Sequence, residues 1–233
     1  MPNSTNGRKR KLSPASDLIA KTKGTYSTIL ADPPWQFQNR TGKVAPEHRR
    51  LLRYPTMSLQ EIMDLPVGDR AADKSHLYLW IPNALLLEGL KVMEAWGFQY
   101  KTNLVWFKVR KDGGPDGRGV GFYFRNVTEL VLFGVRGSMR TEQAGRTQVN
   151  LFPTRKREHS RKPDEIYEIV EACSPGPYLE LFARFPRSGW SQWGNEDCED
   201  NSLHGVAKRN GHKDPSKRFQ TNLRGYRGTA VAK

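Results

Sequence analysis

Asp32, Pro33, Pro34 and Trp35 follow directly on the apolar run Tyr26-Ser27-Thr28-Ile29-Leu30-Ala31, which reads as a buried strand. A carboxylate, two prolines and an aromatic ring at a strand end suit a planar base. The prolines hold φ near about −65° and remove two backbone donors, so the chain leaves the strand stiffly with its carbonyls unshared. An exocyclic amine needs such acceptors. Taken alone, the turn is also readable as an ordinary structural corner, and the rest of the chain decides.

The elements around the turn alternate in the α/β manner. Residues 76–81 read as a second buried strand, after which Asn83 is expected to cap a helix carrying Leu86, Leu87, Leu90, Met93 and Trp96 at helical spacing. Gly97 ends that helix. Residues 103–107 and 129–135 give two more strands, and Pro163 opens a helix with Asp164 and Glu165 in its first turn. Ser174-Pro175-Gly176 closes it before a strand over 178–183. The alternation predicts an α/β fold with a mostly parallel sheet and helices on both faces. Two polar, basic loops interrupt it, 36–55 and 136–162.

The 233 residues suffice for one domain with its own core, but a hydrophobic fraction of 36% and mean hydropathy of −0.71 leave some of the chain unpacked. Charge shows where. Residues 1–24 carry six Lys or Arg against Asp17, and residues 201–233 carry eight against Asp214, so the ends hold 12 of the net +14. The division expected is a basic flexible segment 1–24, a catalytic domain 25–200 and a basic flexible tail 201–233. The tails are either solubilising ends or a salt-sensitive grip on a polyanion.

Other chemistries find little support. Cys173 and Cys198 make neither a disulfide framework nor a cysteine zinc site, and point to a reducing compartment. No stretch is long and apolar enough for a membrane span or a signal sequence, so an intracellular location is expected, cytoplasmic in a prokaryote. Arg8-Lys9-Arg10-Lys11 is a weak nuclear address. The five histidines lack metal-ligand spacing, Ser174 lacks a base at motif spacing, and the GxGxG run at 117–121 has no helix after it. Trp80, Trp96 and Trp106 read as core, and Trp190 and Trp193 as the rim of a pocket.

An ordered set of segments extends the signal of the first turn: Tyr54-Pro55-Thr56-Met57, Leu77-Tyr78-Leu79-Trp80, Leu104-Val105-Trp106-Phe107-Lys108, residues 129–137, Ser160-Arg161-Lys162-Pro163-Asp164-Glu165, Ser174-Pro175-Gly176, residues 180–184 and Trp193-Gly194-Asn195-Glu196. With Asp32-Pro33-Pro34-Trp35 at its head, this set resembles the DPPW-type N6-adenine methyltransferases, a family that includes the catalytic subunit of the mRNA adenosine methyltransferase and bacterial single-chain relatives. The resemblance implies a Rossmann-like class I methyltransferase sheet and S-adenosylmethionine as methyl donor, with no metal. Asp32, Pro33, Pro34 and Trp35 would form the catalytic turn, with Trp35 stacked on adenine. It further implies that Asp32, Lys162, Glu180, Leu181, Phe182, Arg184, Asn195 and Glu196 bind the cofactor, with Asp17 and Ile19 over its adenine edge. The chain departs from relatives after Arg184, where Phe185-Pro186-Arg187-Ser188-Gly189 replaces a His-Asn pair.

Nucleic acid is the expected partner, DNA favoured over RNA, and a homodimer or heterodimer is compatible with the sequence. Position and charge nominate Arg40, Lys43, Arg49, Arg50 and Arg53 in the first loop and Arg155, Lys156 and Arg157 in the second. The alternatives are an RNA methyltransferase and a non-catalytic nucleic-acid-binding partner of the same family, against which the intact turn argues.

Overall fold

A computed structural model describes residues 12–36, 56–116, 123–155 and 162–194. The chain forms α1 (Pro14–Lys21), β1 (Tyr26–Ala31), α2 (Leu59–Met63), β2 (Ala71–Ile81), α3 (Leu86–Ala95), β3 (Gln99–Val109), β4 (Thr128–Arg136), β5 (Leu151–Arg155), α4 (Glu165–Cys173), β6 (Tyr178–Leu181) and β7 (Trp190–Trp193). Seven strands make one sheet in the order β5-β3-β4-β2-β1-β6-β7.

The pattern of β1 explains its place near the centre. Alternate side chains of a strand point to opposite faces: Ile29 and Ala31 pack with Leu18 of α1, Ile62 of α2 and Val92 and Met93 of α3, while Leu30 packs with Ile166, Ile169 and Val170 of α4. Both faces are therefore covered, which is why the strand reads as one apolar run. The parallel pairs are β1 with β2, β1 with β6, β6 with β7 and β3 with β5. Among the described strands, β4 alone runs antiparallel, to both β2 and β3. The mostly parallel α/β sheet with helices on both faces is the architecture expected from the sequence.

Several details differ. Asn83 does not cap α3: it starts a 3₁₀ turn, Asn83–Leu85, and its Nδ2 donates to Thr128 Oγ1 at 3.0 Å. A side chain committed to a neighbouring strand is not available to the helix. The stretch 136–162 is not all loop, because Leu151–Arg155 adds a strand beside β3 with Phe152 and Thr154 turned inward. Trp190 and Trp193 are core rather than rim: they sit on β7, 8% and 4% exposed.

Within the segment 1–24, Pro14–Lys21 form the docked helix α1. Ser13 caps α1 by accepting from Ser16 N at 3.2 Å, Leu18 is fully buried, and Trp193 Nε1 donates to Asp17 Oδ2 at 2.9 Å. The buried Leu18, the charge-assisted bond to Trp193 of β7 and a bond from Arg70 Nη2 to Ile19 O at 3.0 Å thus fasten α1. Leu18→Ala is expected to destabilise the fold by about 2–5 kcal/mol, seen as a lower urea midpoint at unchanged slope. Residues 201–233 lie outside the described residues.

Candidate active site

The strand order reverses at β1, which has β2 on one side and β6 on the other. Ligands of open α/β sheets bind outside the carboxyl ends of the strands at such a point. Asp32 is the first residue past β1 and lies there, half-buried.

The turn after it is fastened more firmly than its prolines alone require. Trp35 N donates to Pro33 O at 2.8 Å, Met57 N donates to Pro34 O at 3.0 Å, and Trp35 Nε1 donates to Trp80 O at 2.9 Å. The carbonyls are therefore not unshared. Each keeps a second lone pair, so Pro33 O can still accept once more. Trp35 is 7% exposed and packs in the core with Leu18, Ile62 and Trp193. An indole held inside in this way does not offer a free face for stacking; it anchors the turn to the end of β2.

Four charges from separate elements meet beside the turn. Lys162 Nζ lies 3.0 Å from Asp32 Oδ1 and 3.3 Å from Glu129 Oε2, and Lys108 Nζ contacts Glu129 Oε1. Lys162 also sits 5.0 Å from the centre of the Trp80 ring. Burial opposes the charge on Lys162, but the Asp32 and Glu129 carboxylates prevail and hold its pKa above the ordinary lysine value. Burial likewise opposes ionisation of Glu129, and the two lysines prevail, holding its pKa below the usual range. Lys162 and Glu129 thus favour the charged form of each other, within a chain of contacts that runs Lys108, Glu129, Lys162, Asp32.

A cavity of about 490 Å³ opens beside them, lined by Asp32, Trp80, Lys162, Glu180, Phe182 and Arg184 among others. Glu180 accepts from Tyr167 OH at 2.7 Å and from Gln192 Nε2 at 2.9 Å. Burial pushes its pKa up, and the neighbouring Asp32 adds to this. Phe182 holds φ at 64°, the left-handed region that costs a non-glycine residue about 1–3 kcal/mol. Its ring meets Trp193 edge-on at 5.2 Å, so packing enforces the bend that turns the chain into the cavity.

Of the residues assigned from the sequence, Asp32, Lys162, Glu180, Phe182 and Arg184 meet around one cavity. Leu181 does not: it is fully buried in the core because β6 alternates its side chains. Asp17 and Ile19 stand on α1 away from the cavity lining, where Asp17 is taken by Trp193 and Lys21 and Ile19 is 37% exposed. Arg155 ends β5, exposed. Asn195, Glu196, Arg40, Lys43, Arg49, Arg50, Arg53, Lys156 and Arg157 lie outside the described residues.

Comparison with known proteins gives this geometry its context. Residues 26–196 match the MT-A70 family. The chain belongs to the MT-A70 family. It is 29% identical over 210 residues to the type II methyltransferase M.MunI of Mycoplasma sp, an alignment covering 83% of this chain and 87% of that protein. It is 27% identical over 174 residues to METTL3, the N(6)-adenosine-methyltransferase catalytic subunit of Homo sapiens, covering 73% of this chain and 27% of METTL3. A similar MT-A70-like N(6)-adenosine-methyltransferase of Arabidopsis thaliana is 29% identical over 177 residues, covering 74% of this chain and 24% of that protein. The chain thus spans nearly the length of the first relative and about a quarter of the others. Family and relatives agree with the fold and with the reading as an adenine-N6 methyltransferase.

Within this MT-A70 site, Lys108, Glu129, Tyr167 and Gln192 were given no role from the sequence, although Lys108 and Glu129 lie inside its ordered segments. Charged residues at the ends of otherwise apolar strands were the available signal for Lys108 and Glu129, since such ends face a sheet's binding edge. Tyr167 lies one helical turn beyond Pro163, on the helix face toward β6, and nothing short of the fold pairs it with Glu180.

Proposed function

We propose that this chain transfers a methyl group from S-adenosylmethionine to N6 of an adenine in nucleic acid, with DNA favoured over RNA. The observation that carries the reading is the Asp32 carboxylate, fixed by Lys162 at the switch point and opening on a cavity of about 490 Å³. That size falls within the roughly 300–1,000 Å³ of small-molecule sites. The lining suits a zwitterion with a ribose: Lys162 and Arg184 for a carboxylate, Glu180 for hydroxyls and Phe182 for an apolar edge. Asn195 and Glu196 join them through the family resemblance.

The adenine amine is a poor nucleophile because its lone pair is delocalised into the ring. Two acceptors on its hydrogens favour a pyramidal nitrogen and aim the pair. Asp32 supplies one: a carboxylate has about four lone-pair sites, and Lys162 holds only one oxygen. Pro33 O supplies the other with its remaining lone pair. As positive charge develops on the amine, the fixed Asp32 carboxylate stabilises it without reorganising. S-adenosylmethionine, when bound, would supply the methyl from its sulfonium with S-adenosylhomocysteine as leaving group, and the methylated amine loses a proton to solvent. The base has to be unstacked for its amine to reach this recess.

DNA is favoured by the alignment with the type II methyltransferase M.MunI along most of both chains, and by the compact single-domain form, which the family resemblance associates with DNA-modifying members. The N(6)-adenosine-methyltransferase relatives keep RNA as the alternative. Methyl transfer from labelled S-adenosylmethionine to single- and double-stranded DNA and RNA tests both, with the product base identified by mass spectrometry. N6-methyladenine in DNA is expected at the highest rate. Faster transfer to RNA reverses the polymer preference, and methyl on any other atom overturns the mechanism.

A further inference from the structure

Two aromatic side chains stand almost wholly in solvent just ahead of β4. Tyr123 is 95% exposed and Phe124 is 85% exposed, the two most exposed large apolar residues described. Isolated exposed apolar residues need no explanation, but two adjacent rings on a loop of a protein with a real core do. Their place in the fold narrows the reading. Lys108 N donates to Val127 O at 2.8 Å, which ties the entry of β4 to the carboxyl end of β3. Phe124 precedes Val127 by three residues, within about 10 Å at strand rise. Two residues beyond Val127 is Glu129, the partner of Lys162. The rings therefore rise from the edge of the sheet that bears Asp32.

The charges at that edge say what they meet. Arg155 ends β5, in register with Val109 of β3, and is exposed. Lys111, in the turn after β3, is exposed as well. Exposed rings among cations on one rim are the composition of a single-strand nucleic-acid platform, in which bases stack on aromatics while cations follow the phosphates.

We propose that Tyr123 and Phe124 stack on bases flanking the target adenine and so hold an unpaired strand across the mouth of the site. The inference rests on the methyltransferase reading for its substrate and makes that substrate an unpaired or locally opened strand.

The test uses the full chain and an adenine-containing single-stranded oligonucleotide of mixed sequence, with its duplex for comparison. Binding is followed by fluorescence anisotropy, and methyl transfer with labelled donor in parallel. At about 1–3 kcal/mol per stacked base, Tyr123→Ala and Phe124→Ala are each expected to weaken binding and raise KM by roughly 5- to 150-fold, with kcat nearly unchanged. Tyr123→Trp should restore both. Circular dichroism confirms the fold, which exposed substitutions leave intact. Single-strand affinity and KM unchanged in the double variant overturn the proposal, as does a loss that Tyr123→Trp fails to restore. A change of oligomeric state in place of affinity overturns it as well, assigning the rings to a contact between copies. Anisotropy needs no turnover, so absent methyl transfer with ring-dependent binding rejects the methyltransferase reading and keeps the platform.

Discussion

Asp32→Asn is expected to lower methyl transfer by at least about 10²- to 10³-fold, the scale of losing one preorganised electrostatic group at a reaction centre. The substitution keeps the shape of the side chain and one carbonyl oxygen. It removes the negative charge that faces the developing cation and turns half of the group into a donor, which repels an amine hydrogen. The loss should fall on kcat, because the interaction strengthens as charge develops. Lys162 retains Glu129 at 3.3 Å, so the fold should persist, as seen by far-ultraviolet circular dichroism and a cooperative unfolding transition. Asp32→Ala should be as inactive. Turnover within a few-fold of the parent chain in either variant would remove Asp32 from its assigned role.

What the sequence made legible follows from how locally each feature is encoded. β1 and residues 76–81 of β2 read correctly because both faces are covered there, giving apolar runs, whereas the polar start of β2 over residues 71–75 carried no such signal. The Asp32 turn, Lys162 and Glu180 were found because motif segments mark them, and the sheet brings all three to one cavity. β5 and β7 were missed: each is four or five residues long, and β5 lies inside a basic stretch where only Phe152 and Thr154 face inward. α1 was hidden by its charges, since a single buried residue, Leu18, docks it. The fate of Trp35 was illegible in principle. Whether an indole faces ligand or core depends on an acceptor 45 residues away, the Trp80 carbonyl. Gly194 shows the reverse: a Cβ there would stand 2.1 Å from Ala183 O, so the glycine of the Trp-Gly-Asn-Glu segment is required by strand packing rather than by ligand chemistry.

Glu129 is where stability and chemistry are most tightly joined, so its removal should show in both. Glu129→Ala leaves Lys108 and Lys162 facing each other across the place their shared counter-charge held. Breaking a largely buried pair from one side costs about 3–5 kcal/mol, because Lys108 loses the counter-charge it has here and Lys162 is left with Asp32 alone. Glu129→Gln should cost less, since an amide fills the space and still accepts through its oxygen. The pH dependence separates a charge effect from a packing effect. The pKa of Glu129 in the fold lies below its ordinary 4.5, so its contribution is fully present above that value and fades as pH falls through the folded pKa. The stability gap between the parent chain and Glu129→Gln, measured by urea unfolding, should therefore be constant from neutral pH to about 5 and narrow under more acid conditions. Transfer should fall as well, because Glu129 holds the lysine that holds Asp32. Its kcat should drop more than the affinity for the methyl donor measured by calorimetry, as expected of a residue acting through another rather than touching the ligand. A gap that does not narrow in acid would mean the side chain serves only to fill space. A variant with full activity would show that Lys162 keeps its station without Glu129.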